Sequence, residues 1–423
     1  MRISRILFLA WIPVQYIAAQ EIPARLNTAA VEKTIRFLAA DEMRGRAIFS
    51  PEIDKAANFI AASFKKSGLL PLQGNSFLQS FTVYSAAFRG LTANADQKEL
   101  SKDNVIVITG EPELEVTEKS SYTISTINAG SSLFQEASTA VNNGRNNIVL
   151  IDESFAQDFK RLVFFKRNFL KRAGSTIFIL GKPALQTYTI RASHVIKAHP
   201  AANIAGILPG RSRKNEYVIF SAHYDHVGVG KPVHADSVYN GANDDASGTT
   251  AVMLLADHFA ALKNNERSII FVAFTAEESG GFGSQYFSRQ LDASKIAAML
   301  NIEMIGTDSK WGKNSAYITG FEKSSLGTIL QKNLAGSGFT FYPDPYPKED
   351  LFYRSDNATL ARLGVPAHTI STSKMDHEPH YHQPSDEVAT LDLTNMTEII
   401  RAIGISAASI IAGKDSPTRV KEE

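Results

Sequence analysis

SIIFVAFTAEESGGFG, Ser268 to Gly283, is the stretch on which the fold turns. Ser268 to Ala276 is almost wholly apolar or β-compatible, Glu277 and Glu278 follow back to back, and a glycine-rich turn comes next. A short apolar run bounded in this way reads as a strand buried on both faces, the kind found in parallel sheets. Two adjacent carboxylates at its mouth repel each other and lose hydration unless a positive charge stands between them. The identity of that charge is the question the rest of the chain has to answer.

Outward from this run, apolar strands alternate with helical patterns from Ala201 onward. EYVIFSAHYDH precedes it as a strand, and SGTTAVMLLADHFAALKNN reads as a helix with Ala251, Leu255, Phe259 and Leu262 on one face. A short helix from Ser284, the strand AAMLNIEMIG, the strands SAYITG and PAHTIST, and a helix from about Thr394 to Ile411 follow. Such alternation implies βαβ units, and so an α/β fold with a mostly parallel mixed sheet sandwiched by helices. Ligands of such sheets gather outside the C-terminal strand ends. Earlier, PEIDKAANFIAASFKKSGLLPL places Ile53, Ala56, Ala57, Ile60 and Phe64 at helical spacing, with Pro51 near the start and Gly68 near the end.

The predicted strand ends carry a consistent chemistry. His223 and Asp225 close one strand, Asp244 and Asp245 precede the long helix in GANDDASG, and Glu277 and Glu278 close the opening run. Glu303 lies in AAMLNIEMIG, and HEPHYHQPSDE brings His377, His380 and His382. Histidines and carboxylates converging on one edge form a ligand set for zinc or a similar divalent cation. A dinuclear centre of charge +4 would hold the clustered acids ionised, with one glutamate of the pair on metal and its neighbour free. Residues i and i+2 of a strand face the same way, which places Asp225 to support His223 from behind. His226, His234, His258 and His368 read as ordinary surface or core residues.

HYDH, NDDASG, AEES, NIEMIG and YHQPSDE stand in the order and approximate spacing of the M28 family of zinc peptidases, which this chain resembles over most of Ala201 to Ile411. RGRAIFSPEIDKAANFIAASFKKSGLLPL resembles the N-terminal lead-in of bacterial members. The resemblance implies a zinc exopeptidase fold and two Zn2+, another divalent metal being admissible. It implies His223 and Glu303 on one ion, Glu278 and His382 on the other, and Asp244 bridging. Asp245 would be tied to a cis peptide, Glu277 would be the general base, and Tyr381 would help stabilise an oxyanion. Many aminopeptidases of the group have Asp where this chain has Glu303, which bears on ion spacing and on the substrate amino pocket. His382 fits the YH-x-x-x-D pattern; His377 and His380 are competing candidates.

The expected reaction is hydrolysis of the N-terminal peptide bond of peptide substrates. Three other readings share the residues. A carboxypeptidase needs a cationic pocket, for which Arg354 and Lys374 are candidates. A glutaminyl cyclase would hold one zinc. A non-catalytic binding ectodomain, as in the transferrin receptors, expects lost ligands.

Composition sets the frame. The 423 residues, 44% hydrophobic and 21% charged, suffice for a large core and more than one folding unit. A net charge of +1 gives no electrostatic reason to expect nucleic acid as a partner. Without a cysteine there is no disulfide, no thiol catalysis and no Cys-based zinc site. MRISRILFLAWIPVQYIAAQ reads as a signal peptide over residues 1–19, which implies a secreted or periplasmic protein with no stable membrane insertion of the mature chain. Residues 20–95 and 200–415 are expected to form the discontinuous catalytic domain, and 416–423 a polar tail. Residues 96–199 read as a mainly β insertion. NNIVLID and AGSTIFIL within it resemble strands of the protease-associated domain, and FKRLVFFKRNFLKRAG is expected to pack as an amphipathic helix. Loop 339–357 is a candidate wall for the substrate pocket. Oligomeric state is not readable from the sequence.

Overall fold

The structure, a computed structural model, describes residues 26–421. The expected signal peptide therefore lies outside the described residues.

The opening run forms the strand Arg267–Phe274, near the middle of an eleven-stranded mixed sheet. Its parallel neighbour is Arg213–His223, followed outward by Ile296–Ile302 and Ala367–Ser371, also parallel. Both faces are covered, and the side-chain alternation shows how. Val218, Phe220 and Ala222, with Ile269, Phe271 and Ala273, enter the larger core. Ile219, Ile270, Val272 and Phe274 enter a second core on the opposite face. The apolar run is continuous because each face of the pleat meets its own layer.

Helices Thr28–Leu38, Pro51–Ser67, Gly248–Leu262 and Leu393–Ser406 cover the first face. Phe282–Ser288 and Asn357–Ala361 cover the second. Pro51–Ser67 is bounded as its sequence indicates. The Ser50 side chain accepts from the Ile53 amide, Gly68 closes the helix at φ 84°, and Ile53, Ala56, Ala57, Ile60 and Phe64 are the buried stripe. The C-terminal helix breaks into Leu393–Ser406 and Ala408–Ile411.

The middle of the chain is joined to this sheet by a long ribbon. Leu78–Ala95 and Tyr188–Leu208 pair antiparallel from Leu78↔Ile204 to Ala95↔Tyr188. One end of the ribbon pairs with Arg267–Phe274. At the other end Leu91, Ala93, Ile190 and Ala192 pack on a separate four-stranded sheet. That sheet runs in the order Val105–Ile108, Thr176–Leu180, Asn147–Ile151, Thr123–Ile127, so the quoted NNIVLID and AGSTIFIL strands lie side by side. The ribbon pairing continues through Pro200, opposite Thr82. FKRLVFFKRNFLKRAG is not one amphipathic helix. It forms a 3-10 segment, Lys160–Lys166, which buries Leu162 beside Phe159 and leaves Val163 and Phe164 exposed. Consecutive β-branched and aromatic residues are weak helix formers there.

Candidate metal centre

Parallel strands end in register here, and the polar groups stand where they end. His223 is the last residue of its strand and pairs with Phe274. Glu277 and Glu278 follow Phe274 after two residues, and Glu303 directly follows Ile296–Ile302. Asp244 and Asp245 arrive on the turn before Gly248–Leu262, joined by a cis peptide bond. His382 comes on the loop after Ala367–Ser371.

Two donor groups form, and Asp244 belongs to both. Its Oδ1 lies 3.3 Å from His223 Nε2, which is 3.0 Å from Glu303 Oε1. Its Oδ2 lies 3.3 Å from His382 Nε2, which is 3.2 Å from Glu278 Oε2. One carboxylate thus divides its oxygens between two clusters. His226 also stands in the second cluster, with Nδ1 2.8 Å from Glu278 Oε1 and 3.7 Å from Asp244 Oδ2.

Donor chemistry tests whether a cation fits. His223 Nδ1 is 3.0 Å from the main-chain carbonyl of Asp225 and must donate to it, because a carbonyl only accepts. In the neutral ring Nε2 then presents a lone pair to two carboxylate oxygens. That arrangement needs a positive charge between them, either a proton or a metal. The electrostatics carry the same demand: although burial opposes it, Glu303, Asp244 and Glu277 raise the His223 pKa well above its ordinary value. Burial is likewise overcome at His382, which Asp244 and Glu278 raise to about 10. Burial and Asp244 push the Glu278 carboxyl up, but the His226 and His382 imidazoles hold it at about 2. Histidine nitrogens and carboxylate oxygens are the donors zinc takes, so the residues present fit a divalent ion in each cluster.

Glu277 differs from its neighbour. It joins neither cluster but lines the same cleft, of about 580 Å3, with Asp244, Glu278, Glu303 and His382. Burial first, then Glu303, Asp356 and Glu278, raise its pKa well above the usual carboxylate range against the pull of His223. The Tyr381 ring stacks on His382 at 4.0 Å and also lines the cleft; burial and the surrounding acids raise its phenol.

Asp225 supports His223 with its main chain rather than its side chain. Its carboxylate Oδ1 is 3.9 Å from His223 Nδ1 and instead accepts from the Glu277 amide at 3.2 Å. The i, i+2 relation fails because the strand ends at His223 and the following residues turn. Asp245 points away from both clusters. Its Oδ1 accepts from the Gly248 and Met304 amides, and its Oδ2 from the His223 amide, tying two strand ends to the start of the Gly248–Leu262 helix. His377 is exposed and His380 Nδ1 meets Ser385 Oγ; neither joins a cluster. Lys374 is paired with Asp308 away from the cleft lining. Arg354 lines the cleft while paired with Glu349. From loop 339–357, Leu351, Arg354 and Ser355 wall the cleft.

Sequence reading passed over several residues here. The sequence reads His226 as an ordinary residue, yet its His-x-x-His spacing from His223 at a strand end is the signal for it. Ser355 Oγ donates to Glu303 Oε2 at 2.7 Å. Asp386 accepts from the Asn243 and Asp244 amides at 2.8 and 3.0 Å, joining the His382 loop to the Asp244 turn; burial raises its carboxyl to about 6 against those donors. Arg46, fully buried, donates to the carbonyls of Leu38, Tyr224, Asn240 and Gly241.

The chain is similar to known proteins in sequence and in fold. Leucine aminopeptidase 1 of Paracoccidioides brasiliensis is 30% identical over 211 residues, 46% of this chain and 52% of that protein. The chain therefore spans about half the length of that relative. BSAP, a zinc aminopeptidase from Bacillus subtilis, superimposes with a TM-score of 0.55 at 17% identity, covering 96% of this chain and 100% of its own. Glutaminyl cyclase of Porphyromonas gingivalis gives 0.51 at 12% identity, covering 91% and 99%. At such identities the shared feature is the fold, which both kinds of protein have. The model of Peptidase family M28 matches residues 203–405, a span that contains both clusters. Over that span the chain is similar to peptidase family M28.

Proposed function

We propose that this protein is a dinuclear zinc aminopeptidase that removes the N-terminal residue of peptides. The observation carrying the reading is the division of Asp244 between two donor clusters, with Glu277 outside both on the same cleft. Zinc held at the clusters would supply Lewis acidity to a water and to the scissile carbonyl. His223, Asp244 and Glu303 hold one position, and Asp244, Glu278 and His382 the other. Glu277 removes the proton of the attacking water and delivers it to the leaving amine; its raised pKa suits a group that must both take and give it. Tyr381, beside His382, offers its hydroxyl to the developing oxyanion. The apolar part of the cleft wall, Met304, Leu351 and Met375 with Tyr317, favours a bulky apolar N-terminal side chain such as leucine. The leader-like sequence of residues 1–19 supports an activity outside the cytoplasm; among the described residues no helix is long and apolar enough to cross a membrane.

The test is Glu277→Gln assayed on a leucyl anilide. The variant should keep its metal and fold and lose on the order of 10²–10⁴ in kcat. A fully active variant removes Glu277 from the mechanism. N-blocked and C-blocked dipeptides separate the reaction classes: an aminopeptidase cleaves only the C-blocked substrate, and a carboxypeptidase only the other.

A further inference from the structure

The two clusters are not equivalent. His223, Asp244 and Glu303 make a three-donor group, whereas the second cluster has four members: His226, Asp244, Glu278 and His382. The fourth member is His226. Its side chain is fully buried, and neither ring nitrogen has an aligned hydrogen-bond partner. Glu278 Oε1 is equally buried and equally unpartnered, although it stands 2.8 Å from His226 Nδ1. Two polar atoms this close that are misaligned for a hydrogen bond are aimed at a common point rather than at each other. Glu278 Oε2 faces His382 Nε2, and Asp244 Oδ2 faces both imidazoles, so the convergence involves all four side chains.

The chain around His226 is built to hold the ring there. Its amide donates to the Arg46 carbonyl at 3.3 Å, while the Arg46 side chain fixes the carbonyls of Tyr224, Asn240 and Gly241 around it. Gly241 adopts φ 58°, and a Cβ at that position would stand 2.5 Å from His226 Cγ. The ring occupies the space that this glycine leaves. The His226 and His382 rings meet edge to face at 5.6 Å, which keeps the two imidazoles side by side.

From this geometry we propose that His226 Nδ1 is a fourth protein donor to the Asp244–Glu278–His382 position. The inference rests on the metal reading above. Four protein donors satisfy a tetrahedral zinc ion, and closed sites of this kind retain their ion; three donors leave a place open for water or substrate. The four-donor position therefore fills first and holds its ion, and the His223–Asp244–Glu303 position fills second and exchanges.

The experiment is a zinc titration of the metal-free full chain against a chromophoric chelator, for wild type, His226→Ala and His226→Asn. The asparagine variant keeps an N–H that can reach Glu278 but supplies no imidazole. Wild type should bind two ions in two separated steps. Both variants should lose more than about 100-fold in the tight step, beyond the loss typical of a residue that only orients a ligand, and keep the weak step. Retention of the weak step also shows that the variants are folded. Two ions in the wild type with an unaltered tight step in either variant overturns the proposal and leaves the dinuclear reading standing. One ion in the wild type, lost from both variants, supports the proposal and ends the dinuclear reading. No ion in the wild type overturns both.

Discussion

Buried histidines in this protein do two different things, and their partners decide which. His226 faces acids across a gap, whereas His368 is satisfied by the chain itself, with Ser324 Oγ at 2.7 Å and the Thr319 carbonyl at 2.8 Å. Burial lowers the His368 pKa to about 4. Above pH 6.5 the folded and unfolded states are both neutral at this residue, so it adds no pH dependence. Between pH 6.5 and 4 the unfolded chain takes up a proton that the folded chain refuses, and stability falls as the pH falls. The slope contributed is at most about 1.4 kcal/mol per pH unit. Urea unfolding across this range should show a shallower acid loss for His368→Gln than for wild type; parallel curves would mean that His368 titrates freely in the fold. From the sequence alone His226 and His368 looked alike, because burial is visible in hydrophobic context whereas the direction of a ring is not.

Among the elements, the short turn before the Pro51–Ser67 helix matters more than its length suggests. Arg46 enters from it and donates four hydrogen bonds to main-chain carbonyls on three separate segments. Its charge is buried near Asp386, Asp244, Asp225 and Asp245, which offset part of the desolvation that lowers its pKa. Each carbonyl stripped of its donor costs about 1–3 kcal/mol when buried. Arg46→Met should therefore lower stability by more than about 3 kcal/mol in urea unfolding, with a weaker hold on zinc because the His226 and Asp244 segments lose their tie. A shift below about 1 kcal/mol would show that water replaces the guanidinium. The RGR stretch was readable as part of the lead-in, but not as a clamp on the site. Three of its four partners lie 178 to 195 residues away in sequence, and main-chain acceptors leave no mark in side-chain identity.

At the scale of the whole molecule, the site gathers far more negative than positive charge. Asp225, Asp244, Asp245, Glu277, Glu278, Glu303, Asp356 and Asp386 converge on it; burial first, with the neighbouring acids, raises Asp356 to about 7 and Asp225 to about 6 against the pull of His223. Cations bound to the folded state relieve this repulsion and stabilise it by linkage, by about 4 kcal/mol at a thousandfold excess over Kd. Removing metal with a chelator should lower the thermal midpoint by several degrees, and zinc should restore it; an unchanged midpoint would mean that the acids are held by protons instead. The sequence by itself determined the α/β architecture, the strand ends on which chemistry gathers and the residue types there, because two-sided burial and polar strand termini are written in local pattern. Resemblance to a family singled out Asp244, Glu278, Glu303, His223 and His382, which the fold brings into the two clusters. The resemblance already implied that Asp244 is shared, whereas tertiary structure alone decided that Asp225 uses its carbonyl and that His226 turns toward Glu278. Those are orientations set by contacts between segments distant in sequence, and no local pattern encodes them.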